Sequence, residues 1–381
     1  MSNTRDFLEF FAGGGMARLG LAGDFECVFA NDFDHQKARV YRDNFGESHF
    51  VEADIARLSA ADLPAADLAW ASSPCQDVSL AGNRQGLRAK RSGAFWLFWA
   101  LLRDLSRTGR SPSVVVLENV LGLLTSNGGD DFNAVIDAFV RLGYRCGVLD
   151  IDAADFVPQS RRRLFLICAH GDCVEQYATN QNGYGHSQAS LAAEDALPAT
   201  LKSKWVRWHL PTPQPRYITL VDVLEQDLPA NAWRTEHDCE ALLEQMTPAH
   251  RDRVYVACES GQFHVGAVYR RVRNGVSRPE VRYDGLAGCL RTLKGGSSRQ
   301  LLLVSEHGQV KLRGLTGREA ARLMGLADDY RLPEKITAAT NLAGDGVCVP
   351  LVRWLSQNLL KPLANAAMPY QQSQFRLKTP I

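Results

Sequence analysis

The chain has 381 residues, more than one average domain, and 45% hydrophobic with 22% charged residues, which is typical of a globular protein with a sizeable core. No apolar run approaches the roughly 20 residues of a membrane helix, and the first residues lack a signal-peptide pattern, so we expect a cytoplasmic protein without a membrane partner. Nine cysteines without a Cys-x-x-Cys pair argue against a disulfide framework and against structural zinc. We therefore expect no metal.

Positive charge is concentrated locally, although the net charge of the whole chain is only +1. Between residues 264 and 299, seven arginines and one lysine stand against two acidic residues, a local balance of +6. A second basic group comprises Arg84, Arg88, Lys90 and Arg91. Such basic stripes are expected where a protein contacts a phosphate backbone, and the alternative is a solvated charged face.

Strand and helix patterns alternate over the first 170 residues, which indicates parallel strands joined by crossover helices. Strands are predicted at 6–11, 27–30, 67–71, 114–117 and 164–168, and helices at 16–22, 34–44 and 95–105. The predicted fold is a doubly wound, Rossmann-like α/β sheet, in which functional residues gather at the carboxyl ends of the strands.

The whole chain is predicted to divide into two domains and a tail. Residues 1–170 form the catalytic and cofactor-binding domain, and the polar, irregular residues 171–310 form a smaller separate domain. Residues 311–364 complete the catalytic domain, with a capping box of Thr316 and Glu319, a strand at 346–350 and a helix at 351–360. The polar tail 365–381 is predicted to be disordered.

Glycines 13–15 follow the first predicted strand and allow a tight turn and close approach to a ligand. Arg18 stands where the dinucleotide fingerprint requires its third glycine, which argues against NAD and leaves room for another nucleoside cofactor. Asp32 closes the second strand, where an acid would bind ribose hydroxyls, with Phe33 beside it as a stacking surface. Asp54 closes the third predicted strand, near where the exocyclic amine of a bound adenine would lie. The alternative is that both acids are helix N-caps.

The tripeptide Pro74-Cys75-Gln76 follows the strand at 67–71. Pro74 fixes a turn that points the Cys75 side chain out of the strand end, where it can act as a thiolate nucleophile. Glu118 ends the apolar strand at 114–117, and a carboxylate there needs a partner. Arg161 or Arg163 can supply it.

This ordered set of motifs resembles the cytosine-C5 DNA methyltransferase family, prokaryotic type, over about residues 5–170 and 310–362. The resemblance implies methyl transfer from S-adenosylmethionine to C5 of a flipped-out cytosine in a short duplex sequence, through a covalent bond from Cys75 to C6. It further implies that Glu118 binds N3 and N4 of the base. Arg161 contacts the base or the surroundings of the nucleophile, and Arg163 orients Glu118.

The resemblance also implies two sets of binding residues. Those expected at the cofactor are Phe11, Ala12, Gly13, Gly15, Asp32, Phe33, Asp54, Ile55, Pro74, Phe95, Asp345 and Val347. Those expected at DNA are Gln76, Ser79, Arg84, Arg88, Arg270, Arg271, Arg273, Thr292, Leu293, Gly295 and Gly296. The segment 76–88 is predicted to be a mobile loop that closes over DNA, and 171–310 the target recognition domain. The chain departs from the family at residues 71–73, Ala-Ser-Ser before Pro-Cys, and at Asp345, where asparagine is commoner.

Double-stranded DNA is the expected partner, with a restriction endonuclease encoded nearby as a possible second one. We expect a monomer that is nucleoid-associated when bound to DNA. Three other interpretations stay open: a transfer-RNA cytosine methyltransferase on the same scaffold, a catalytically silent DNA-binding protein, and a nicotinamide oxidoreductase. Arg18 weakens the last of these, and the presence of Cys75 and Glu118 weakens the silent protein.

Overall fold

The computed structural model describes residues 4–73, 93–273, 275–292 and 300–367. The chain divides into two compact units. The first comprises Met1–Ile151, Arg162–Thr212 and Val352–Ile381, and the second comprises Asp152–Arg161 and Pro213–Leu351. These are units of packing, and the division into catalytic and recognition domains remains a prediction.

A seven-stranded sheet forms the centre of the first unit, in the order β3-β2-β1-β4-β5-β7-β6. The strands are β1 Arg5–Phe10, β2 Phe25–Asp32, β3 Phe50–Glu52, β4 Leu68–Ala71, β5 Val114–Asn119, β6 Arg145–Asp152 and β7 Arg162–Ala169. The strands β3, β2, β1, β4 and β5 pair in parallel, so their carboxyl ends share one edge. In contrast, β7 runs antiparallel to β5, which brings the start of β7 to that same edge.

Six helices of the first unit accompany these strands, and the first three of them correspond to the helices that the sequence pattern predicts. They are α1 Met16–Leu21, α2 His35–Phe45, α3 Gly93–Arg107, α4 Asp130–Arg141, α5 Gln188–Asp195 and α6 Ala199–Lys202. Alternate strand residues point to opposite faces. Phe10 packs with Phe98 of α3 on one face, and Trp70 packs near Phe165 on the other. The predicted α/β fold is confirmed.

The second unit contains a four-stranded antiparallel sheet in the order β11-β10-β8-β9. Its strands are β8 His264–Arg273, β9 Val276–Arg282, β10 Leu301–Glu306 and β11 Gln309–Gly314, and its helices include α7 Glu236–Glu244, α8 Pro248–Glu259, α9 Gly317–Arg322 and α10 Ile336–Asp345. Side chains of α7 and α8 pack on Val268, Val281 and Leu303 of the sheet. The sequence pattern predicted irregular structure for residues 171–310, whereas the structure has a regular four-stranded sheet in this region.

The end of the chain differs from the prediction in one element. The capping box of Thr316 and Glu319 opens α9 as predicted. The predicted strand at 346–350 is wrong, because α10 ends at Asp345 with Gly346 as its C-cap, and the next helix, α11 Val349–Leu355, already begins within the predicted strand. Pro350 stands in the first turn of α11, where its missing N–H costs no hydrogen bond.

The last helices close the first unit against its beginning. After α11 the chain forms a π-helical turn over Ser356–Leu360 and then α12 Lys361–Ala366. The Ser356 hydroxyl and the Lys361 ammonium donate to the two carboxylate oxygens of Asp24, at 2.9 and 2.7 Å. Arg5 of β1 donates to Asn365 of α12 at 3.1 Å. In the described ranges no helix is long and apolar enough to cross a membrane.

Candidate cofactor and catalytic site

The glycine loop, residues 13–15, directly follows β1, and Gly13 and Gly15 have different structural roles. Gly13 and Gly15 both have positive φ, at 56° and 74°. A Cβ placed on Gly13 would meet no heavy atom within 4 Å, whereas one on Gly15 would overlap the ring of Phe45. Ala12 donates its N–H to the Asn31 carbonyl at 2.9 Å, and Phe11 also has positive φ, at 57°. Gly13 therefore leaves room for a ligand, and Gly15 lets α2 pack against the loop.

Asp32, the last residue of β2, is 6% exposed and holds this loop. Its carboxylate accepts from the N–H of Gly13 at 2.8 Å and of Asp34 at 2.9 Å. Burial raises the pKa of Asp32. The N-cap of α2 is Asp34, so the alternative that Asp32 merely caps this helix is wrong. The neighbouring Phe33 is 69% exposed, which is unusual for an aromatic ring and suits stacking on a planar ligand.

Asp54 and Ile55 follow β3, the neighbour of β2 in the sheet. The exposed Asp54 carboxylate accepts from the N–H of Ala56 at 2.9 Å, so the cap interpretation describes this acid correctly. The two strand ends are tied together by Asn31, whose side-chain amide donates to the carbonyls of Val51 and Ala53, both at 2.9 Å. Ile55 is buried in the core.

The end of β1 therefore supplies an open glycine, the end of β2 a buried carboxylate and an exposed aromatic ring, and the end of β3 the exposed Asp54 carboxylate, all along one sheet edge. This donor set fits a nucleoside with ribose hydroxyls and a planar base, as S-adenosylmethionine has. Phe95 is buried in the same core cluster as Phe10 and Ile55, edge-on to Phe139 and to Trp96, and its contact with a cofactor stays a prediction. Within the part of the chain that the structure describes, no group of three or more metal-ligating side chains occurs.

Glu118 and Arg163 form an ion pair at the same edge. Glu118 is buried near the end of β5, and its Oε1 lies 3.1 Å from Nε of Arg163. Arg163 reaches it because antiparallel β7 begins where parallel β5 ends. Arg162, between the two predicted site arginines, pairs instead with Asp150, with Nε 3.1 Å from Oδ1. The ion pair holds the Glu118 carboxyl in a fixed position, as a side chain that contacts a nucleobase would require.

Arg161 belongs to the second unit and is buried there. Its guanidinium donates to the carbonyls of Leu290, Gly344 and Gly346 at 2.9, 2.9 and 2.7 Å. This side chain thus fixes the backbone on both sides of exposed Asp345. A contact of Arg161 with the target base stays a prediction.

Two further predicted residues lie near this brace, within the second unit. A Cβ on Gly344 would clash with the backbone between Arg291 and Thr292, so glycine permits that close approach. Thr292 and Asp345 are thereby brought into one neighbourhood, while the Val347 side chain is buried. The side chain of Gln159, two residues before Arg161, accepts from the Leu290 N–H at 2.9 Å and donates to the Leu323 carbonyl at 2.8 Å.

Arg270 and Arg271 of β8 are exposed. Nη2 of Arg270 donates to Oε1 of Gln245 at 2.7 Å, and Nε of Arg271 lies 3.9 Å from Oε2 of Glu280. The backbone of Arg273 pairs with Val276. Several predicted site residues lie outside the described residues: Pro74, Cys75, Gln76, Ser79, Arg84, Arg88, Leu293, Gly295 and Gly296.

Sequence reasoning missed Glu9, in the middle of β1. It is 1% exposed, and its Oε1 accepts from the Arg18 N–H at 3.3 Å. Its Oε2 is buried and has no hydrogen-bond partner among the described residues. Burial raises the pKa of Glu9 to about 8, and the nearby Arg18 opposes that rise. The available signal was a single acid inside the apolar run from Phe7 to Phe10.

Known proteins share this arrangement along nearly the whole chain. Residues 5–361 match the family model for C-5 cytosine-specific DNA methylase. The chain is 28% identical over 367 residues to Type II methyltransferase M.Bsp6I of Bacillus sp. (strain RFL6), covering 93% of this chain and 98% of that one. It is 26% identical over 383 residues to Type II methyltransferase M.HaeII of Haemophilus aegyptius, covering 97% and 98%.

A solved structure shows the same fold. The S. pombe Dnmt2 methyltransferase aligns with a TM-score of 0.62 at 20% identity, covering 95% of this chain and 99% of that one. The family model spans the ends of β1, β2 and β3, the Glu118–Arg163 pair and residues 171–310, for which the recognition domain is predicted. The predicted resemblance is confirmed, and the chain belongs to the C-5 cytosine-specific DNA methylase family.

Proposed function

We propose that this DNA cytosine-C5 methyltransferase modifies a cytosine extruded from duplex DNA within one short sequence, with Cys75 as its nucleophile. The observation that carries the proposal is the order of strands at one sheet edge. In that order β4 lies between β1, which leads into the glycine loop, and β5, which carries Glu118. Cys75 follows the end of β4 by four residues in sequence. The nucleophile thus follows the strand between the cofactor side and the acid.

C5 of cytosine is a weak nucleophile, which explains the need for a cysteine. The Cys75 thiolate adds to C6, and the electron pair released makes C5 behave as an enamine carbon. Glu118 holds the base at N3 and N4 and stabilises the addition by sharing a proton with N3. Arg163 keeps the Glu118 side chain in position for this task. Once C5 carries the methyl group, a base removes the C5 proton, the C6–sulfur bond breaks, and the thiolate is restored.

S-adenosylmethionine, the cofactor of this family, supplies the methyl group as a sulfonium and leaves as S-adenosylhomocysteine. Asp32 would accept hydrogen bonds from its ribose, Phe33 would stack on its adenine, and Asp54 would lie near the adenine amine. Gly13 leaves the space that such a ligand needs. A base within a duplex is stacked and inaccessible, so the target must be flipped out before Cys75 can reach C6.

The first test is methyl transfer itself. Tritiated S-adenosylmethionine is offered with mixed-sequence duplex DNA and, in parallel, with transfer RNA, and the DNA products are sequenced after bisulfite treatment. We expect label in DNA at cytosines of one short context. Label only in transfer RNA would move the substrate to RNA, and no label in either with retained cofactor binding would indicate a silent fold.

The nucleophile is tested separately with Cys75→Ser and Cys75→Ala. Both variants should lose methyl transfer and keep DNA binding, while Cys258→Ser, at a partly exposed cysteine of α8, should keep both. Duplexes with 5-fluorocytosine at the target should trap the wild-type enzyme covalently, because a base cannot remove fluorine from C5 as it removes a proton. Turnover by either Cys75 variant would refute the assigned mechanism.

The partners follow from the relatives, which are named Type II methyltransferases. We propose that this enzyme protects its recognition sequence from a restriction endonuclease encoded nearby and acts on the nucleoid as a monomer. Size-exclusion chromatography with light scattering checks the oligomeric state. Cleavage of unmethylated but not methylated plasmid by the neighbouring gene product checks the pairing.

A further inference from the structure

The hairpin of β8 and β9 extends beyond the sheet that supports it. Strand β10 pairs with β8 only from His264 to Val268, whereas β9 pairs with β8 as far as Arg273. The residues 269–273 and 276–280 therefore form a two-stranded projection, here called the outer ribbon. It is exposed toward its tip, where Val272 and Val276 are 66% and 50% exposed.

The register of the outer ribbon separates its arginines between two faces. Directly opposed residues on antiparallel strands share a face, and successive residues alternate between faces. Arg271 is opposed to Arg278, and Tyr269 is opposed to Glu280. These four side chains therefore belong to one face. Arg270 belongs to the opposite face, where it contacts Gln245.

The face with Arg271 and Arg278 carries positive charge that the described protein does not neutralise. Like charges directly across a strand pair destabilise the sheet. The carboxylate at the root of this face, Glu280, is buried at 4% exposure and is shared. It accepts from the Tyr269 hydroxyl and lies 3.7 Å from His250 and 3.9 Å from Arg271. Arg278 makes no ion pair within residues 4–73, 93–273, 275–292 and 300–367.

An anion from outside the protein satisfies this arrangement. Two guanidinium groups on one face can converge on one phosphate, whereas reading a guanine edge uses a single arginine in a bidentate contact. The major groove of B-DNA, about 12 Å wide, admits a two-stranded β-ribbon between two lines of phosphates. The outer ribbon has four arginines and one glutamate, a balance of +3.

We propose that Arg271 and Arg278 together grip a backbone phosphate of the substrate duplex, and that this pair contributes affinity without reading bases. The inference rests on the proposed function, because it takes the methylated duplex as the occupant. It assigns a positioning role on DNA to a cross-strand pair, and it separates that pair from Arg270 on the opposite face.

The test compares the double variant Arg271→Gln with Arg278→Gln against the full-length wild type, using DNA affinity as a function of salt. The pair shares one phosphate, and a lost phosphate contact lowers the slope of log affinity against log salt by about 0.9, so we expect a decrease of about 0.9. Between about 50 and about 200 mM salt the wild type should then lose about 3.5-fold more affinity than the variant does. The methylated sequence should stay unchanged, because the pair contacts no base edge.

Two controls make the result specific. The double variant Arg39→Gln with Arg107→Gln removes the same charge from exposed arginines that already have carboxylate partners, and its salt slope should equal that of the wild type. The double lysine variant of the pair should keep most of the slope, and equal thermal midpoints would show that all variants fold.

An unchanged slope in the glutamine variant, or an altered methylated sequence, would overturn the phosphate assignment. These outcomes are distinct from failure of the proposed function, which would appear as a wild-type enzyme that transfers no methyl group to any duplex. Binding of the wild type to duplex DNA can be measured in either case, so the slope comparison decides the role of the pair independently.

Discussion

Replacing Glu9 by glutamine should stabilise the protein in alkaline buffer and have little effect in acidic buffer. Glu9 is 1% exposed, and burial raises its pKa from an ordinary value of 4.5 to about 8. Between those two pH values the folded state keeps the proton while the unfolded state releases it. The folded state therefore binds more protons, and its stability falls as pH rises through this window.

The magnitude follows from the width of the window. The free energy of unfolding changes by about 1.36 kcal/mol for each pH unit over which one proton is held, so the interval sets a ceiling of about 5 kcal/mol near pH 8. The pKa of about 8 already includes the effect of Arg18, which favours the charged form, so the whole interval counts. Glutamine has the same shape and no charge, so Glu9→Gln should gain up to about 5 kcal/mol at alkaline pH.

Urea unfolding followed by tryptophan fluorescence, at pH about 5, about 7 and about 8.5, measures this difference. The matched control is Glu26→Gln, an exposed glutamate on the neighbouring strand β2, which should show no such trend. A difference between the Glu9→Gln variant and wild type that stays constant with pH would refute the reasoning. That result would mean that Glu9 is charged in the folded protein throughout.

Three other predictions concern the site. Gly15→Ala should lower the thermal midpoint, because the new methyl group overlaps the neighbouring ring of α2, whereas Gly13→Ala should mainly weaken S-adenosylmethionine binding in calorimetry. Arg163→Ala should reduce kcat at least about a hundredfold with DNA affinity retained, because Glu118 loses its ion-pair partner. Single-turnover kinetics measure this loss, and a change confined to KM would contradict the assigned role of Arg163. Arg161→Met should cost about 3 kcal/mol or more in urea unfolding, because three carbonyls lose their donor; a cost below about 1 kcal/mol would show that the brace is dispensable.

The sequence predicted the first sheet well because its strands are buried on both faces. A run such as residues 114–117 is apolar throughout, which is the pattern of a central parallel strand. The second sheet escaped prediction because β8 and β9 expose both faces toward their tip, so the alternation that marks a strand disappears. The strand predicted at 346–350 is absent from this described range. The β-branched residues Val347 and Val349 favour a strand in a local pattern, whereas the structure has the C-cap of α10 at Gly346 and the start of α11 at Val349.

Site prediction succeeded where chemistry is local and failed where it depends on distant partners. The glycine loop and Asp32 stand at strand ends, and strand ends can be located from the pattern alone. The three carbonyls that Arg161 binds come from Leu290, Gly344 and Gly346, more than a hundred positions away. The contacts between such distant segments do not appear in local sequence, so the structural duty of Arg161 was not predictable.

The closure of the first unit by Asp24 has a consequence for how the enzyme is made. During synthesis Asp24 has no contact with Ser356 until the ribosome adds that residue, 332 positions later, and Arg5 likewise gains its contact only with Asn365. A chain arrested before Ser356 is synthesised lacks both closing contacts. The nascent chain therefore carries the first unit without them through almost the whole of translation, and the unit closes only when α12 has left the ribosome.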